Sequence, residues 1–291
     1  ALVPQKITLK SGKTFSLRIP RGFEIIPAAE GLKRVRFFAK APDGRMFVTD
    51  MHDLTDNDKG TIYILDEWNP ETGKFGKVTI YLNGLKNPNS VQFYRDLSGQ
   101  DWIYIAETHR LTRRKFSRDE TKPTGKPETI ATFPDYGLSY KYGGWHLTRT
   151  IAFSPAGKLY VSVGSSCNAC IEKEKVRATV LEMNPDGSRQ RIFARGLRNA
   201  VSIKWIGKSL WATNQGSDHL GDSKPDETFY ALKSGGDYGW PHCYQSNGGI
   251  FADKGFPRSA GCPNVQRSYA FFPAHSSAMG FDYFDSQTTD E

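Results

Sequence analysis

The sequence has no apolar run that approaches the roughly 18 residues of a membrane-spanning helix, and its mean hydropathy is −0.54. This absence argues against a transmembrane helix. The first ten residues, ALVPQKITLK, also lack the basic and apolar regions of a secretory signal peptide. If the protein is exported, we therefore expect its signal peptide to have been removed already.

Long stretches without glycine or proline are also missing. The 291 residues include 28 glycines and 16 prolines, which interrupt the chain every few residues. Such frequent interruption argues against coiled coils and helical bundles. Aromatic residues make up 13% of the chain, which argues against a disordered protein, because disorder requires little buriable surface.

The positive charge is not concentrated in one block. The net charge is +8 and the pI is about 9.2, but lysine and arginine are spread along the chain and are densest at Lys33–Arg36 and Arg110–Lys115. A basic balance favours anionic partners, such as an anionic cofactor. Without a long basic block, nucleic-acid binding is not expected.

Only four cysteines are present, and they form two local pairs, Cys167 with Cys170 and Cys243 with Cys262. Pairing of this kind favours disulfides and an oxidising, periplasmic or extracellular location. The Cys-Asn-Ala-Cys sequence is also compatible with a redox motif or half a zinc site, although no second such motif exists. Ile171 follows it instead of histidine, which excludes covalent haem attachment.

A glycine turn followed by alternating apolar residues recurs along the chain. The turn glycines lie 50 to 58 residues apart, at Gly44, Gly99, Gly157 and Gly207. Further strand-like segments begin between them, at Gly60, Lys77, Ala178 and Arg189. Three or four strands in each long repeat predict an all-β fold, a β-propeller. A β-sandwich explains the strand spacing but not the long period, and a β-helix repeats on a shorter one.

The number of repeats leaves the ring of blades open. Four repeats are visible, and Phe272–Phe284 looks like the start of a fifth. A propeller must close, because an open edge invites aggregation. We therefore expect one propeller domain over residues 1–291 that either closes with five blades or fewer or lacks its C-terminal blades. Two stretches with little strand pattern, Thr132–Thr150 and Asn214–Phe272, are candidate functional loops.

Two motifs next to predicted strands carry titratable or charged groups. His146 comes just before a strand, where it can act as a base near neutral pH or simply cap a loop. Arg198 and Asn199, in GLRNA, lie on a predicted turn between two strands. There the guanidinium can bind a carboxylate or form a surface salt bridge.

Two further loops have compositions that suit a ligand. Thr213–Thr228 is rich in carbonyl and carboxylate oxygens around glycine, which suits Ca²⁺ but also a solvated turn. Gly235–Cys243 contains Tyr238 and Trp240, which can form a stacking wall for a planar ligand or fill a core.

In their order along the chain, these motifs resemble the soluble PQQ-dependent sugar dehydrogenases, the glucose, aldose and L-sorbosone dehydrogenase group. The resemblance runs from about Arg18 to Phe284. RIPRGFEI and RVRFFAKAPDGRMFVTD look like the N-terminal blade of that family. The most specific segments are WHLTRTIAFSPAGKLYVSVGSSCNAC, GLRNA, NQG…DE and YGWPHC.

The resemblance implies a six-bladed propeller with PQQ on its axis and Ca²⁺ beneath the cofactor. It implies oxidation of an aldose or pyranose at the anomeric carbon, by hydride transfer to the quinone, with His146 as general base. Later blades of the family hold the PQQ carboxylates with basic residues, and this chain ends before them. The other positions that match family residues are Arg198 and Asn199 for PQQ, Gln215, Gly216 and Ser217 for the loop that reaches PQQ and Ca²⁺, and Tyr238, Asn89 and His275 near the cofactor or substrate.

The expected partners are a sugar and an external electron acceptor, either a small carrier or a cytochrome. Two alternatives remain open at this point. One is a Ca²⁺-dependent propeller lactonase or related hydrolase, which would need no quinone. The other is a non-catalytic propeller that binds a ligand.

Overall fold

The described part of the chain, residues 1–135 and 146–284 of a computed structural model, folds mainly into antiparallel β-sheets that form four propeller blades. Strands β1 (Leu2–Thr8) and β2 (Thr14–Pro20) pair as a separate hairpin before the first blade. The residues Arg18–Pro20, which begin the segment RIPRGFEI, therefore lie at the end of this hairpin and not in a four-stranded blade.

Each of the first three blades takes four consecutive strands. Blade 1 consists of β3 (Val35–Lys40), β4 (Met46–Asp50), β5 (Gly60–Asn69) and β6 (Lys74–Leu85). Blade 2 consists of β7 (Ser90–Arg95), β8 (Asp101–Ala106), β9 (Arg110–Lys115) and β10 (Glu128–Thr132). Blade 3 consists of β11 (Ile151–Phe153), β12 (Leu159–Val163), β13 (Thr179–Met183) and β14 (Arg191–Arg195).

Blade 4 departs from this consecutive order. It consists of β15 (Ser202–Ile206), β16 (Ser209–Asn214), β17 (Glu227–Leu232) and β21 (Ala270–Phe272). Before β21, the chain leaves the blade to form β18 (Gly236–Asp237), which pairs parallel with β14, and the hairpin of β19 (Cys243–Ser246) and β20 (Gly249–Ala252). A short 3₁₀ turn, Asp218–Leu220, lies between β16 and β17.

The glycine period is confirmed as the blade period. Gly44, Gly99, Gly157 and Gly207 each lie between the first and second strands of a blade, with φ angles of 91°, 85°, 74° and 58°. Glycine adopts positive φ without the steric cost of a Cβ atom, so it suits these tight turns. The repeat was therefore recognisable in the sequence, because each of these turns requires a backbone conformation that favours glycine.

One expectation about the second half is incomplete and one is wrong. Asn214–Phe272 lies mostly outside strands, as expected, but it also contains β17 and the short strands β18 to β21. The pattern was missed because ETFYAL is short and is flanked by proline and glycine, which indicate loops. Phe272–Phe284 does not start a fifth blade in the described residues, because Phe272 ends β21 and residues 273–284 contain no strand. In the first predicted loop, residues 136–145, including Trp145, lie outside the described residues.

Aromatic and aliphatic side chains fill the spaces between blades. Between blades 1 and 2, Phe47 is fully buried and packs edge-on against Tyr81, Phe93 and Phe116. Equivalent cores join blade 2 to blade 3 and blade 3 to blade 4. These cores hold the first strands of consecutive blades side by side, so the segments preceding those strands converge on one region. Within the described residues, no helix is both long and apolar enough to cross a membrane.

Candidate active site

A cavity of about 400 Å³ lies where the connections of blades 1, 3 and 4 converge. Arg36 enters it from β3, and His146 from the segment before β11. Arg198 enters from the connection between blades 3 and 4. The remaining lining residues are Met51, Leu54, Leu147, Thr148, Gln215, Gly216, Asp218, Glu227, His275 and Ser277. His146, Arg198, Gln215, Gly216 and His275, all predicted from the sequence, therefore share one cavity.

The imidazole of His146 is held through one of its two nitrogens. Its Nδ1 lies 3.0 Å from the carbonyl oxygen and 2.9 Å from Oγ of Ser165. Because a carbonyl oxygen only accepts hydrogen bonds, this contact assigns the ring proton to Nδ1. Nε2 then carries the lone pair. His146 also has a φ of 51°, a backbone conformation that is uncommon for a residue with a side chain and that often marks functional sites.

The surroundings of His146 keep it uncharged at neutral pH. Burial is the main cause, and the positive charge of Arg198 adds to it; together they lower the pKa of His146 to about 3. A neutral imidazole whose Nε2 carries the lone pair can accept a proton at that nitrogen.

Gly164, directly after β12, makes room for His146. A Cβ atom at position 164 would lie 2.5 Å from Cβ of His146 and 2.8 Å from Oδ1 of Asn199. Real Cβ atoms do not approach other atoms that closely. Gly164 has no positive φ, so the close approach of His146, and not the backbone, requires glycine here.

The guanidinium of Arg198 is buried and fixed from one side. Arg198 is 4% exposed. Its Nε donates to the carbonyl oxygen of Asn168 and its Nη2 donates to Oδ1 of Asn168, both at 2.8 Å. A carboxylate oxygen of Asp218 lies 3.5 Å from Nη2. Burial lowers the pKa of Arg198. Arg198 nevertheless stays charged, because the ordinary pKa of arginine lies far above neutral pH.

Asn199 and Gln215 connect the Arg198 turn to the loop after β16. Nδ2 of Asn199 donates to Oε1 of Gln215 at 2.8 Å, and the Gln215 amide donates to the carbonyl oxygen of Asn199 at 3.1 Å. Gln215 lines the cavity and donates from Nε2 to Oγ of Ser277 at 2.7 Å. Asn199 is buried and is not among the lining residues, so its contact with the cavity is made through Gln215.

The loop after β16 brings oxygen atoms to the cavity wall. A Cβ atom at Gly216 would lie 2.6 Å from Cγ of Pro225, so only glycine fits there without displacement. Ser217 is 5% exposed and lines a small adjacent cavity instead of the main one. Glu227, the first residue of β17, is buried at the main cavity, and its Oε2 has no hydrogen-bond partner among the described residues.

Burial raises the pKa of Glu227 to about 7, against the lowering effects of the Gly216 amide and Arg198. A carboxyl group with a raised pKa in the folded state favours folding at low pH. That advantage is lost as pH rises from about 4.5 to about 7. Without metal, we therefore expect Glu227→Gln, which cannot ionise, to be more stable than wild type at pH 8, by on the order of 3 kcal/mol.

Thermal unfolding with a chelator present tests this expectation. The midpoint of the variant should lie several degrees above wild type at pH 8, and the two should coincide at about pH 4.5. A difference that does not change with pH would contradict the raised pKa of Glu227.

His275 reaches the cavity from the segment after β21. Its Nδ1 lies 3.2 Å from Oδ1 of Asp218, and its Nε2 lies 3.0 Å from the carbonyl oxygen of Gly221. These contacts raise the pKa of His275, with the Gly221 carbonyl as the largest cause. Asp218 therefore lies between the guanidinium of Arg198 and the imidazole of His275.

Two residues predicted near the cofactor or substrate do not line the cavity. Asn89 is fully buried, and its Oδ1 accepts a hydrogen bond from Nε of Arg36 at 2.9 Å. Tyr238 belongs to the core between blades 3 and 4, where it packs edge-on against Tyr230 and its hydroxyl accepts from the Lys233 amide. Asn89 orients a cavity residue, whereas Tyr238 supports the wall from behind.

The sequence analysis missed two residues that line the cavity, Arg36 and Glu227, and also Asn168, which binds Arg198. Arg36 was counted only as part of a basic segment, Glu227 only as the end of the NQG…DE motif, and Asn168 only as a spacer between cysteines. Each is a polar residue in a blade strand or beside a motif residue. Such residues are common, so they point to the site only once the blades are assigned.

Both predicted disulfides are present, Cys167–Cys170 and Cys243–Cys262. The first shows that the Cys-Asn-Ala-Cys loop is a closed disulfide loop and not half a zinc site. Glu172 lies close to the same sulfurs, but sulfur atoms in a disulfide are not thiolate ligands. The two bridges are consistent with an extracellular location.

Structural comparison finds a similar fold in solved sugar dehydrogenases. The PQQ domain of a pyranose dehydrogenase from Coprinopsis cinerea, in its holo form, superposes with a TM-score of 0.71 at 16% identity, covering 88% of this chain and 69% of that one. The PQQ-bound aldose sugar dehydrogenase of Streptomyces coelicolor gives 0.61 at 20% identity, covering 84% and 70%. The apo aldose sugar dehydrogenase of Escherichia coli gives 0.55 at 16% identity, covering 84% and 73%.

Sequence comparison identifies the family. No curated protein sequence matches the chain. The model of the glucose/sorbosone dehydrogenase family matches residues 91–290, a span that takes in the second, third and fourth blades together with His146, Arg198 and the loop after β16. Because this match covers more than half of the chain, the protein belongs to the glucose/sorbosone dehydrogenase family.

Proposed function

We propose that the protein is a quinoprotein sugar dehydrogenase that oxidises an aldose or pyranose at its anomeric carbon, with PQQ and Ca²⁺ as cofactors. The observation that carries the proposal is the shared cavity, which a neutral histidine and a buried arginine both line. The proposal takes residues 1–291 as one propeller domain, because continuous cores join the four blades.

The cavity fits an anionic cofactor in size and charge. A volume of about 400 Å³ falls within the usual range for small-molecule sites. Arg36 and Arg198 bring positive charge to its wall, and arginine suits carboxylate groups because of its planar fork of donors. PQQ carries three carboxylates. Arg36 and Arg198 are the groups that would bind these carboxylates, and Gln215 would donate further hydrogen bonds.

The donor set beside the cavity fits a hard divalent cation. Glu227 offers a buried carboxylate oxygen that has no hydrogen-bond partner in residues 1–135 and 146–284, and the backbone at Gly216 and Ser217 offers carbonyl oxygens. Ca²⁺ prefers carboxylate and carbonyl oxygens. When bound, PQQ would supply the acceptor for the hydride and Ca²⁺ a Lewis acid at the quinone carbonyl.

The residues of the chain supply the proton chemistry and the orientation. Oxidation of the anomeric carbon removes a hydride from carbon and a proton from the hydroxyl oxygen, and it leaves a lactone. Nε2 of His146 accepts that proton, while Ser165 holds Nδ1 and fixes the direction of the ring. Arg198 provides preorganised N–H donors for developing negative charge, and one such donor is typically worth roughly 3 kcal/mol.

The proposal extends to location and partners. We place the protein in the periplasm or outside the cell, because both of its cysteine pairs are oxidised. Electrons would leave to an external acceptor, either a small carrier or a cytochrome.

Turnover with defined cofactors tests the proposed function. We expect oxidation of one or more members of an aldose panel when PQQ, Ca²⁺ and an artificial electron acceptor are all present. We also expect activity to disappear when a chelator removes Ca²⁺ and to return when Ca²⁺ is added back. The measurements are reduction of the acceptor and formation of the lactone.

Two results would contradict the proposal. Hydrolysis of lactones with Ca²⁺ alone, without quinone, would identify a propeller lactonase. Failure of the folded protein to bind PQQ at any Ca²⁺ concentration would favour a non-catalytic ligand-binding propeller.

A further inference from the structure

The loop closed by the Cys167–Cys170 disulfide is in contact with Arg198. Asn168, inside this loop, accepts two hydrogen bonds from the guanidinium, one at its carbonyl oxygen and one at Oδ1, both 2.8 Å long. Because the backbone and the side chain of one residue bind adjacent guanidinium nitrogens, they fix the direction of the guanidinium plane as well as its position.

The same oxygen of Asn168 also binds the loop after β16. Oδ1 accepts a hydrogen bond from the amide of Asp218 at 2.9 Å. Asp218 follows directly after Ser217, one of the proposed carbonyl donors for Ca²⁺. A single side-chain oxygen therefore joins the disulfide loop, Arg198 and the segment that carries the proposed cation ligands.

The loop reaches His146 from its other end. Ser165, whose oxygens contact Nδ1 of His146, donates from Oγ to the carbonyl oxygen of Cys167 at 2.6 Å. The Ser165 amide donates to the carbonyl oxygen of Arg198 at 2.8 Å. Both site residues are thus connected to the disulfide loop within one or two hydrogen bonds.

The loop is held in place on its outer side as well. Glu172, just after Cys170, accepts hydrogen bonds from the amide of Ser166 at 2.6 Å and from its Oγ at 2.7 Å. These bonds and the disulfide close a short segment that has no strand of its own. A segment outside regular structure needs such restraints if it is to hold another side chain in one geometry.

We propose that Asn168 is a positioning residue for Arg198, and that the Cys167–Cys170 disulfide keeps Asn168 in place. The role assigned to Arg198 rests on the proposed function, whereas the restraint of Arg198 by Asn168 is a property of the protein alone. Arginine has a long, flexible side chain, and fixing it before the ligand arrives lowers the cost of binding.

Three variants separate the parts of this proposal. Asn168→Ala removes Oδ1, and with it the bonds from Arg198 Nη2 and the Asp218 amide. Asn168→Asp keeps an oxygen at that position and serves as the conservative rescue. Cys167→Ser with Cys170→Ser opens the loop, and Cys243→Ser with Cys262→Ser is the matched control, because it opens the other disulfide, which has no contact with Arg198 in the described residues.

The first measurement needs no cofactor. In the full chain, hydrogen exchange at the Nη2–H resonances of Arg198, assigned by their loss in Arg198→Lys, reports whether the Asn168 side chain holds the guanidinium, because Nη2 is the nitrogen that donates to Oδ1. We expect exchange to be at least about tenfold faster in Asn168→Ala and in the Cys167/Cys170 variant than in wild type. Asn168→Asp and the Cys243/Cys262 control should exchange as wild type does.

The second measurement is PQQ binding with Ca²⁺, followed by absorbance, with kcat and KM for the sugar. We expect Asn168→Ala to weaken PQQ binding by about tenfold or more while KM for the sugar at saturating PQQ stays within about twofold. Wild-type exchange and PQQ affinity in Asn168→Ala would overturn the positioning role. If wild type itself failed to bind PQQ, the proposed function would fall, but exchange at Arg198 would still decide whether Asn168 restrains it.

Discussion

Replacing His146 with asparagine should lower kcat by about 10²- to 10⁴-fold, the usual worth of general-base catalysis, while the fold and PQQ binding remain. Asparagine suits the site because it accepts the positive φ of position 146 better than most residues. Its amide nitrogen can also donate to the Ser165 carbonyl oxygen, as Nδ1 of histidine does. Only the proton-accepting Nε2 is lost.

The measurement is steady-state turnover at saturating PQQ, Ca²⁺ and sugar, with PQQ affinity measured separately. His52→Asn is the matched control, because His52 also has a positive φ, of 68°, and does not line the cavity. That variant should turn over as wild type does. Equal kcat in His146→Asn and wild type would remove His146 from the mechanism.

The lowered pKa of His146 sets the sign of the pH dependence. An imidazole with a pKa of about 3 is already neutral in mildly acidic solution, so protonation of His146 should not limit the rate at pH 5 to 7. Arg198 contributes to that lowering. An anionic cofactor beside Arg198 would offset its positive charge and raise the pKa of His146, which makes a stronger base once the site is loaded. In the proposed function, Arg198 would thus bind the cofactor and also adjust the basicity of His146.

The fold was predictable where one residue type carries a backbone requirement. The four turn glycines all have positive φ, and this need recurs once in each blade. Strand β17 was not predictable in the same way, because its six residues become a blade strand only through pairing with β16 and β21. The partners in β21 lie 41 to 45 residues away along the chain (Phe229↔Ala270 to Glu227↔Phe272). That distance leaves no local pattern, so tertiary context determines such a strand.

The residues of the site also differ in how far the sequence predicts them. His146 and Arg198 were found because the motifs around them are specific, and both line the cavity. The motif match predicted that Tyr238 lies near the cofactor, but it could not predict which way the side chain points. In the structure, that side chain packs into the core. Glu227 was missed because a glutamate at a loop end is ordinary in sequence, and only its burial without a partner makes it notable.

Replacing Gly164 with alanine should lower kcat about 100-fold, because the added methyl group would crowd His146 and also Oδ1 of Asn199. The added methyl group would lie 2.5 Å from Cβ of His146 and 3.1 Å from its Cγ, so it must push the imidazole away. A displacement of about 1 Å in a reacting group can cost about 10²-fold in rate. Overpacking should also lower stability, by roughly 1–3 kcal/mol.

The added methyl group at position 164 contacts His146 and Asn199 and not the guanidinium of Arg198, and this determines the measurements. PQQ affinity should change less than kcat, and the imidazole resonances of His146 should shift in the absence of cofactor, because its contact with Ser165 is disturbed. Gly280→Ala is the matched control, since a Cβ atom there meets nothing within 4 Å and its φ is not positive. If Gly164→Ala kept wild-type kcat and wild-type His146 resonances, the packing of Gly164 against His146 would not be what places the base, and the hydrogen bonds to Ser165 alone would have to do so.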